Sequence, residues 1–277
     1  MSLKGVVKRG LQWIIKGVPN YSIDVNISYL SPNERLKGKN IIITGGGRGL
    51  GFAMAKKFIA EGANVIIVGR NEQTLRSSAE ELKCNYLQLD VQQANSFESF
   101  FQKAEALLGP IDCLVNNAGI SLHEQSFLDV NIDQFDSQIN TNFKGVYFLT
   151  QEFVKRYINN GLKSGKVLFI SSETSMTVDD RPYGLTKAAL NSLVQGLAYR
   201  YIKYGIRMNA IAPGVTLSDM IGNKSGNLYA PSQVTSRIYL PEEVAEIAAF
   251  LLSEESNLLN GQILVCNEGK TINARWK

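Results

Sequence analysis

Ile41-Ile42-Ile43-Thr44-Gly45-Gly46-Gly47-Arg48-Gly49-Leu50-Gly51, running on into Phe52-Ala53-Met54-Ala55-Lys56-Lys57-Phe58, is the stretch that decides the fold. The apolar, β-branched run reads as a strand, the glycines as a tight turn, and the segment after them as a helix. Glycine in such a turn adopts positive φ and lets the backbone approach a pyrophosphate lying at a helix N-terminus. A glycine run alone is often only a loop. Between a buried strand and a helix it reads as a dinucleotide site.

The pattern repeats outward from there. Apolar runs recur at Asn64–Val68, Tyr86–Leu89, Cys113–Val115, Val167–Ile170, Met208–Ala212 and Ile263–Cys266, separated by segments of helical period. This alternation predicts an α/β fold: one doubly wound parallel sheet of about seven strands with helices on both faces. Residues with useful chemistry stand just after the strand ends, at Asp90-Val91, Asn116-Asn117-Ala118-Gly119, Ser171-Ser172 and Pro213-Gly214. Open parallel sheets bind ligands along that edge.

Tyr183 and Lys187 are four residues apart, which puts phenol and ammonium on one helical face. A fixed positive charge favours phenolate, so this spacing fits a tyrosine that trades a proton near neutral pH. The pair alone is weak evidence, because most such pairs are ordinary helix residues. Together with Thr44-Gly-x-x-x-Gly-x-Gly51, Asn116-Asn-Ala-Gly119, Asn142, Ser172 and Pro213-Gly214, in that order, it carries a resemblance. Over about residues 36–269 the chain resembles the short-chain dehydrogenase/reductase family, in the branch that includes 3-oxoacyl reductases.

The resemblance implies a Rossmann fold and a catalytic set of Asn142, Ser172, Tyr183 and Lys187. Ser172 would hold the substrate oxygen and Tyr183 would donate the proton. Lys187 would lower the Tyr183 pKa and bind the nicotinamide ribose, and Asn142 would hold a water behind the lysine. Ser171 and Ser175 rival Ser172, whose loop to Tyr183 is about two residues shorter than the family's. Ser172 is preferred as the second serine after the fifth strand. The cofactor would be cradled by Gly45, Gly47, Arg48, Gly49, Leu50 and Gly51. Asp90 and Val91 would meet the adenine, and Asn116, Asn117, Ala118 and Gly119 would line the cofactor's backbone. Pro213, Gly214, Thr216 and Ser218 would approach the carboxamide. After the second strand the chain reads Gly69-Arg70-Asn71, with no acid for the ribose hydroxyls. Arg70 and Arg48 suit a 2′-phosphate, so NADP (NADPH) is expected.

Composition bounds the rest. The chain has 277 residues, 44% hydrophobic and 19% charged, enough for one large globular domain. Cys84, Cys113 and Cys266 have no metal-like spacing, and His123 is the sole histidine, so histidine triads and metal sites are not expected. Lys4, Lys8, Arg9 and Lys16 match the whole formal net charge of +4, which leaves no basic surplus for nucleic acid elsewhere. Residues 1–35 form a basic amphipathic arm outside the match, and 36–277 form the catalytic domain. The arm reads as a packing arm or a weak membrane-surface contact; Gly5, Gly10 and Gly17 favour packing. A cytoplasmic location is expected, peripheral to membrane if the arm docks there.

The function expected is NADPH-dependent reduction of a small-molecule ketone, or the reverse alcohol oxidation, by a homodimer or homotetramer. Two long helices, about 131–156 and 182–204, would form its two-fold interface. Alternatives are a nonenzymatic NADP-binding regulator on the same fold, or a reductase of a keto sugar or other ring ketone. Two departures bear on substrate. Tyr204 stands where carrier-protein reductases usually have an arginine, and Val265-Cys266-Asn267-Glu268-Gly269 replaces the family's Val-Asp-Gly-Gly. A lid is expected over about 217–239, with Met220, Ile221, Leu228, Tyr229 and Ile238.

Overall fold

The computed structural model describes residues 34–218 and 228–272. The arm before Glu34 and the lid residues Met220 and Ile221 lie outside the described residues. Seven strands form one sheet: β1 (Asn40–Thr44), β2 (Asn64–Gly69), β3 (Asn85–Gln88), β4 (Cys113–Asn116), β5 (Gly165–Ile170), β6 (Ile206–Pro213) and β7 (Ile263–Cys266). Their order is β3-β2-β1-β4-β5-β6-β7, and every pairing is parallel. Between them run α1 (Gly49–Ala60), α2 (Glu72–Leu82), α3 (Phe97–Leu108), α4 (Ile132–Ile139), α5 (Val146–Asn159), α6 (Pro182–Tyr201) and α7 (Pro241–Leu252).

Alternation along the strands builds two cores. Ile41 and Ile43 face a layer with α1, α2 and α7, where Met54, Phe58 and Ala248 are fully buried. Ile42 faces the opposite layer with Leu114, Phe101, Phe153 and Val194. Side chains on a strand alternate faces, so three consecutive isoleucines serve both layers. Sheet order reverses between β1 and β4, which flank the glycine turn. Ligand crevices form at such a switch point.

Two elements differ from the sequence expectation. The sixth strand is longer than Met208–Ala212, because β6 pairs along the whole of β5 from Gly165. The helix expected unbroken over 131–156 instead has a π-helical turn at Asn140–Gly145 between α4 and α5. Gly145 is packed against β3's exit: a Cβ there would lie 2.2 Å from the Val91 carbonyl oxygen. The widened turn lets backbone approach backbone and carries Asn142. π-turns are frequent at functional sites.

Candidate active site

A cleft of about 670 Å³ opens along the C-terminal edge of the sheet. At one end stands the glycine turn. Gly45 has φ +66, and a Cβ on Gly51 would meet the Gly45 carbonyl oxygen at 2.2 Å, so only glycine allows this crossing. No side chain caps α1, and its first turn holds no acid. Its leading N–H groups are thus arranged to receive an anion. Asn117 braces the turn by donating Nδ2 to the Thr44 carbonyl at 2.9 Å, while the Thr44 hydroxyl accepts from the Asn117 and Ala118 amides. Arg48, Gly49, Leu50, Arg70, Val91, Ala118, Gly119, Pro213, Gly214, Thr216 and Ser218 also line the cleft. The shape and donor set fit a dinucleotide.

Gly47, Asn71, Asp90 and Asn116 are not among the residues lining the cleft. Gly47 lies behind the wall, its carbonyl accepting from Ser78 Oγ at 2.7 Å. Asn71 caps α2 by accepting from the Thr74 amide at 2.9 Å. The Asp90 carboxylate accepts from the Gln92 amide in a turn, and Leu89 lines the cleft in its place. Asn116 turns into the core, where its Nδ2 donates to Thr150 Oγ1 at 2.9 Å. Asn71 and Asp90 are thus used by local backbone turns, as short polar side chains commonly are.

At the other end Ser172, Tyr183 and Lys187 converge on the cleft. Pro182 opens α6 at its first turn, a position where a missing N–H costs nothing. One helical turn therefore separates Tyr183 from Lys187, and the ammonium lies 5.6 Å from the Tyr183 ring centroid. The Tyr183 phenol is hydrogen-bonded to Ser172. Ser171 is turned away, donating to Asn191 Oδ1 at 2.7 Å, and Ser175 donates to the Ser172 carbonyl at 2.6 Å. Of the three serines, Ser172 alone has its hydroxyl at the phenol among the contacts described.

The electrostatics differ from the expectation for Tyr183. Burial pushes its phenol above the ordinary value, and the Ser172 hydrogen bond only partly opposes this. Lys187 is pushed down to about 8 by burial, and its Nζ donates to the Ile170 carbonyl at 2.7 Å. The ammonium is held between a backbone oxygen and the ring face. Asn142 stands behind the pair. Its Oδ1 accepts from the Ile120 amide and its Nδ2 donates to the Ile120 carbonyl, both at 2.8 Å. The side chain thereby holds the Gly119–Ile120 backbone beside Lys187.

Sequence reasoning missed Glu124, Glu173, Asp179 and Arg181, which line the far end. Asp179 holds Arg181 by two contacts, at 2.8 and 3.1 Å. Glu173 accepts from Lys270 at 2.8 Å and from Asn267 at 3.1 Å, and Lys270 also reaches Gln233 at 3.2 Å. The unusual C-terminal sequence thus ties β7's exit to the turn after Ser172. Its replacement of the family's ending was the signal available. Among the described residues no group of histidine, cysteine and acid side chains could hold a metal ion.

Known proteins agree with this geometry. The profile of the family described as Enoyl-(Acyl carrier protein) reductase matches residues 45–271. Oxidoreductase UcpA of Escherichia coli K12 is 35% identical over 257 residues, covering 86% of this chain and 96% of that protein. The L-rhamnose 1-dehydrogenase (NADP(+)) of Thermoplasma acidophilum is 33% identical, covering 86% and 98%. The 3-oxoacyl-[acyl-carrier-protein] reductase FabG of Chlamydia muridarum is 33% identical, covering 86% and 99%. A solved short chain dehydrogenase of Bacillus anthracis superimposes with a TM-score of 0.78 at 27% identity, covering 88% and 100%. The chain belongs to the short-chain dehydrogenase/reductase family, in its 3-oxoacyl reductase-like branch, and is an oxidoreductase.

Proposed function

We propose that the protein is an NADP-dependent oxidoreductase that interconverts a ketone and a secondary alcohol, with Tyr183 as the proton-transferring group. The observation that carries this is the convergence of Ser172, Tyr183 and Lys187 on the same cleft that the glycine turn walls. Bound nicotinamide would supply or accept the hydride. Ser172 would hold the reacting oxygen, and Tyr183 would give its proton to that oxygen in reduction or take it in oxidation. Burial keeps the phenol in its donor form through neutral pH, which suits reduction. Asn142 acts as a positioning residue that fixes the backbone beside Lys187.

NADP is favoured over NAD because Arg48 and Arg70 line the cofactor end and Gly69 offers no carboxylate. The NADP(+) in the name of the Thermoplasma relative supports the same choice. A homodimer or homotetramer with no nucleic-acid partner is the assembly we propose. Among the described residues no helix is long and apolar enough to cross a membrane. A cytoplasmic location, with residues 1–35 as a packing arm, completes the reading.

The test is NADPH consumption across a panel of small ketones, oxoacyl thioesters and keto sugars, with NADPH binding followed separately by fluorescence. Turnover of at least one class is expected. A protein that fails to bind NADPH would remove the proposal.

A further inference from the structure

Ser172 stands between the end of β5 and a short helical turn, Glu173–Met176. Its hydroxyl accepts from the Thr174 amide at 3.3 Å and is bonded to the Tyr183 phenol. The orientation of this turn therefore sets where the Ser172 hydroxyl stands. α6 holds the turn from one side. Asn191, about two helical turns beyond Tyr183, donates Nδ2 to Ser175 Oγ at 2.8 Å and accepts from Ser171 Oγ at 2.7 Å.

The chain leaving β7 holds it from the other side. Glu268 and Gly269 have φ of +54 and +82, so the chain turns back sharply after the strand. Lys270, carried on that turn, donates Nζ to Glu173 Oε1 at 2.8 Å, and Asn267 donates Nδ2 to Oε2 at 3.1 Å. Both carboxylate oxygens of Glu173 are thus engaged, on a side chain only 12% exposed. Lys270 also donates to Gln233 Oε1 at 3.2 Å. Glu268 fixes the turn to the same segment by accepting from the Tyr239 hydroxyl at 3.2 Å and from the Thr235 hydroxyl. Glu173 lines the cleft and Lys270 does not.

An ion pair on open surface contributes little. This one ends on a largely buried carboxylate attached to the residue after the catalytic serine. Without the ammonium, that carboxylate keeps only the Asn267 amide in the cleft wall, which disfavours its present place. Turning toward water, it would carry the Ser172 backbone with it. Resting on the oxidoreductase reading above, we propose that Glu173 and Lys270 are positioning residues, a brace from the β7 exit that holds the Ser172 hydroxyl against Tyr183 for proton transfer. Lys270 acts through Glu173, and Glu173 acts through Ser172.

The experiment takes the substrate of the NADPH panel that the wild type reduces fastest and compares Lys270→Met, Lys270→Arg, Glu173→Gln and the Glu173→Gln/Lys270→Met double variant. NADPH titration and thermal unfolding report that each is folded. A displacement of roughly 1 Å at a reacting group can cost 10²-fold, so Lys270→Met should lower kcat by about ten- to a hundredfold, with KM and NADPH affinity changed by less than about threefold. Lys270→Arg should restore kcat to within about threefold of the wild type. Because the two residues act as one unit, the double variant should be no slower than the slower single variant. Hydrogen–deuterium exchange over residues 171–178 should be faster in Lys270→Met and ordinary in Lys270→Arg. If Lys270→Met does not fold, Glu173→Gln, which keeps the side chain's shape, carries the same expectation for kcat. Unchanged kcat in folded Lys270→Met, a rise in KM alone, or independent losses that multiply in the double variant would overturn the brace and leave the oxidoreductase reading standing. Wild-type protein that binds no NADPH, or reduces nothing in the panel, overturns that reading and this one together.

Discussion

Burial pushes the Tyr183 phenol up, and the Lys187 ammonium beside its ring donates to the Ile170 carbonyl. The four-residue spacing was legible in the sequence; the direction of the pKa was not, since it depends on what each charge touches once folded. The same distinction runs through the site. Ser172, Tyr183 and the glycine turn were legible because spacing fixes their geometry. Glu124, Asp179 and Arg181 come from irregular loops with no period to betray them. Arg48 and Arg70 test the cofactor choice at this scale. Replacing both with alanine should weaken NADPH binding by roughly a hundredfold, about 3 kcal/mol for two charge-assisted contacts, and leave NADH binding little changed. Parallel fluorescence titrations check this, and equal losses for both cofactors would mean that the arginines do not read the 2′-phosphate.

The strands were the most legible elements, because an isoleucine run buried on both faces has few other uses. β3 came one residue early, at Asn85–Gln88 rather than Tyr86–Leu89, a shift within the usual fraying of edges. The π-turn at Asn140–Gly145 was invisible to periodicity, and only Gly145 hinted that backbones meet there. At the opposite edge of the sheet, Lys166 at the start of β5 is buried and reaches the Ser253 carbonyl and, at 3.1 Å, Ser256 Oγ. Burial pushes this lysine down from 10.5 to about 8. Between those two values the unfolded chain binds the proton and the folded chain does not, so stability rises with pH. Lys187 adds a change of the same sign, also with a folded value of about 8. Burial pushes the thiols of Cys84, Cys113 and Cys266 up, which acts in the opposite sense once unfolded thiols titrate near pH 9. Urea denaturation should therefore show the rise between pH 8 and pH 9, and Lys166→Met should flatten part of it. A variant with the same pH slope as the wild type would show that Lys166 stays charged throughout.

Over the whole molecule, the described surface leaves Phe135, Tyr147, Phe148 and Leu185 each about 40% exposed or more, along α4, α5 and α6. On the second of the two helices expected at the interface, Leu193, Leu197 and Tyr201 are partly buried against the second core. Exposed aromatic surface of this kind favours association, and a two-fold interface is the commonest closed solution. Light scattering at micromolar concentration should show a dimer or tetramer, and Phe148→Asp should shift it toward monomer. A monomeric wild type would remove the two-fold interface. The central claim is that Tyr183 moves the proton in an NADP-dependent reaction, and Tyr183→Phe tests it most directly. The ring stays and one hydroxyl goes, so NADPH titration and thermal unfolding should match the wild type while kcat falls by about 10²–10⁴-fold on the best substrate. A Tyr183→Phe protein that binds NADPH and keeps most of its turnover would contradict the account.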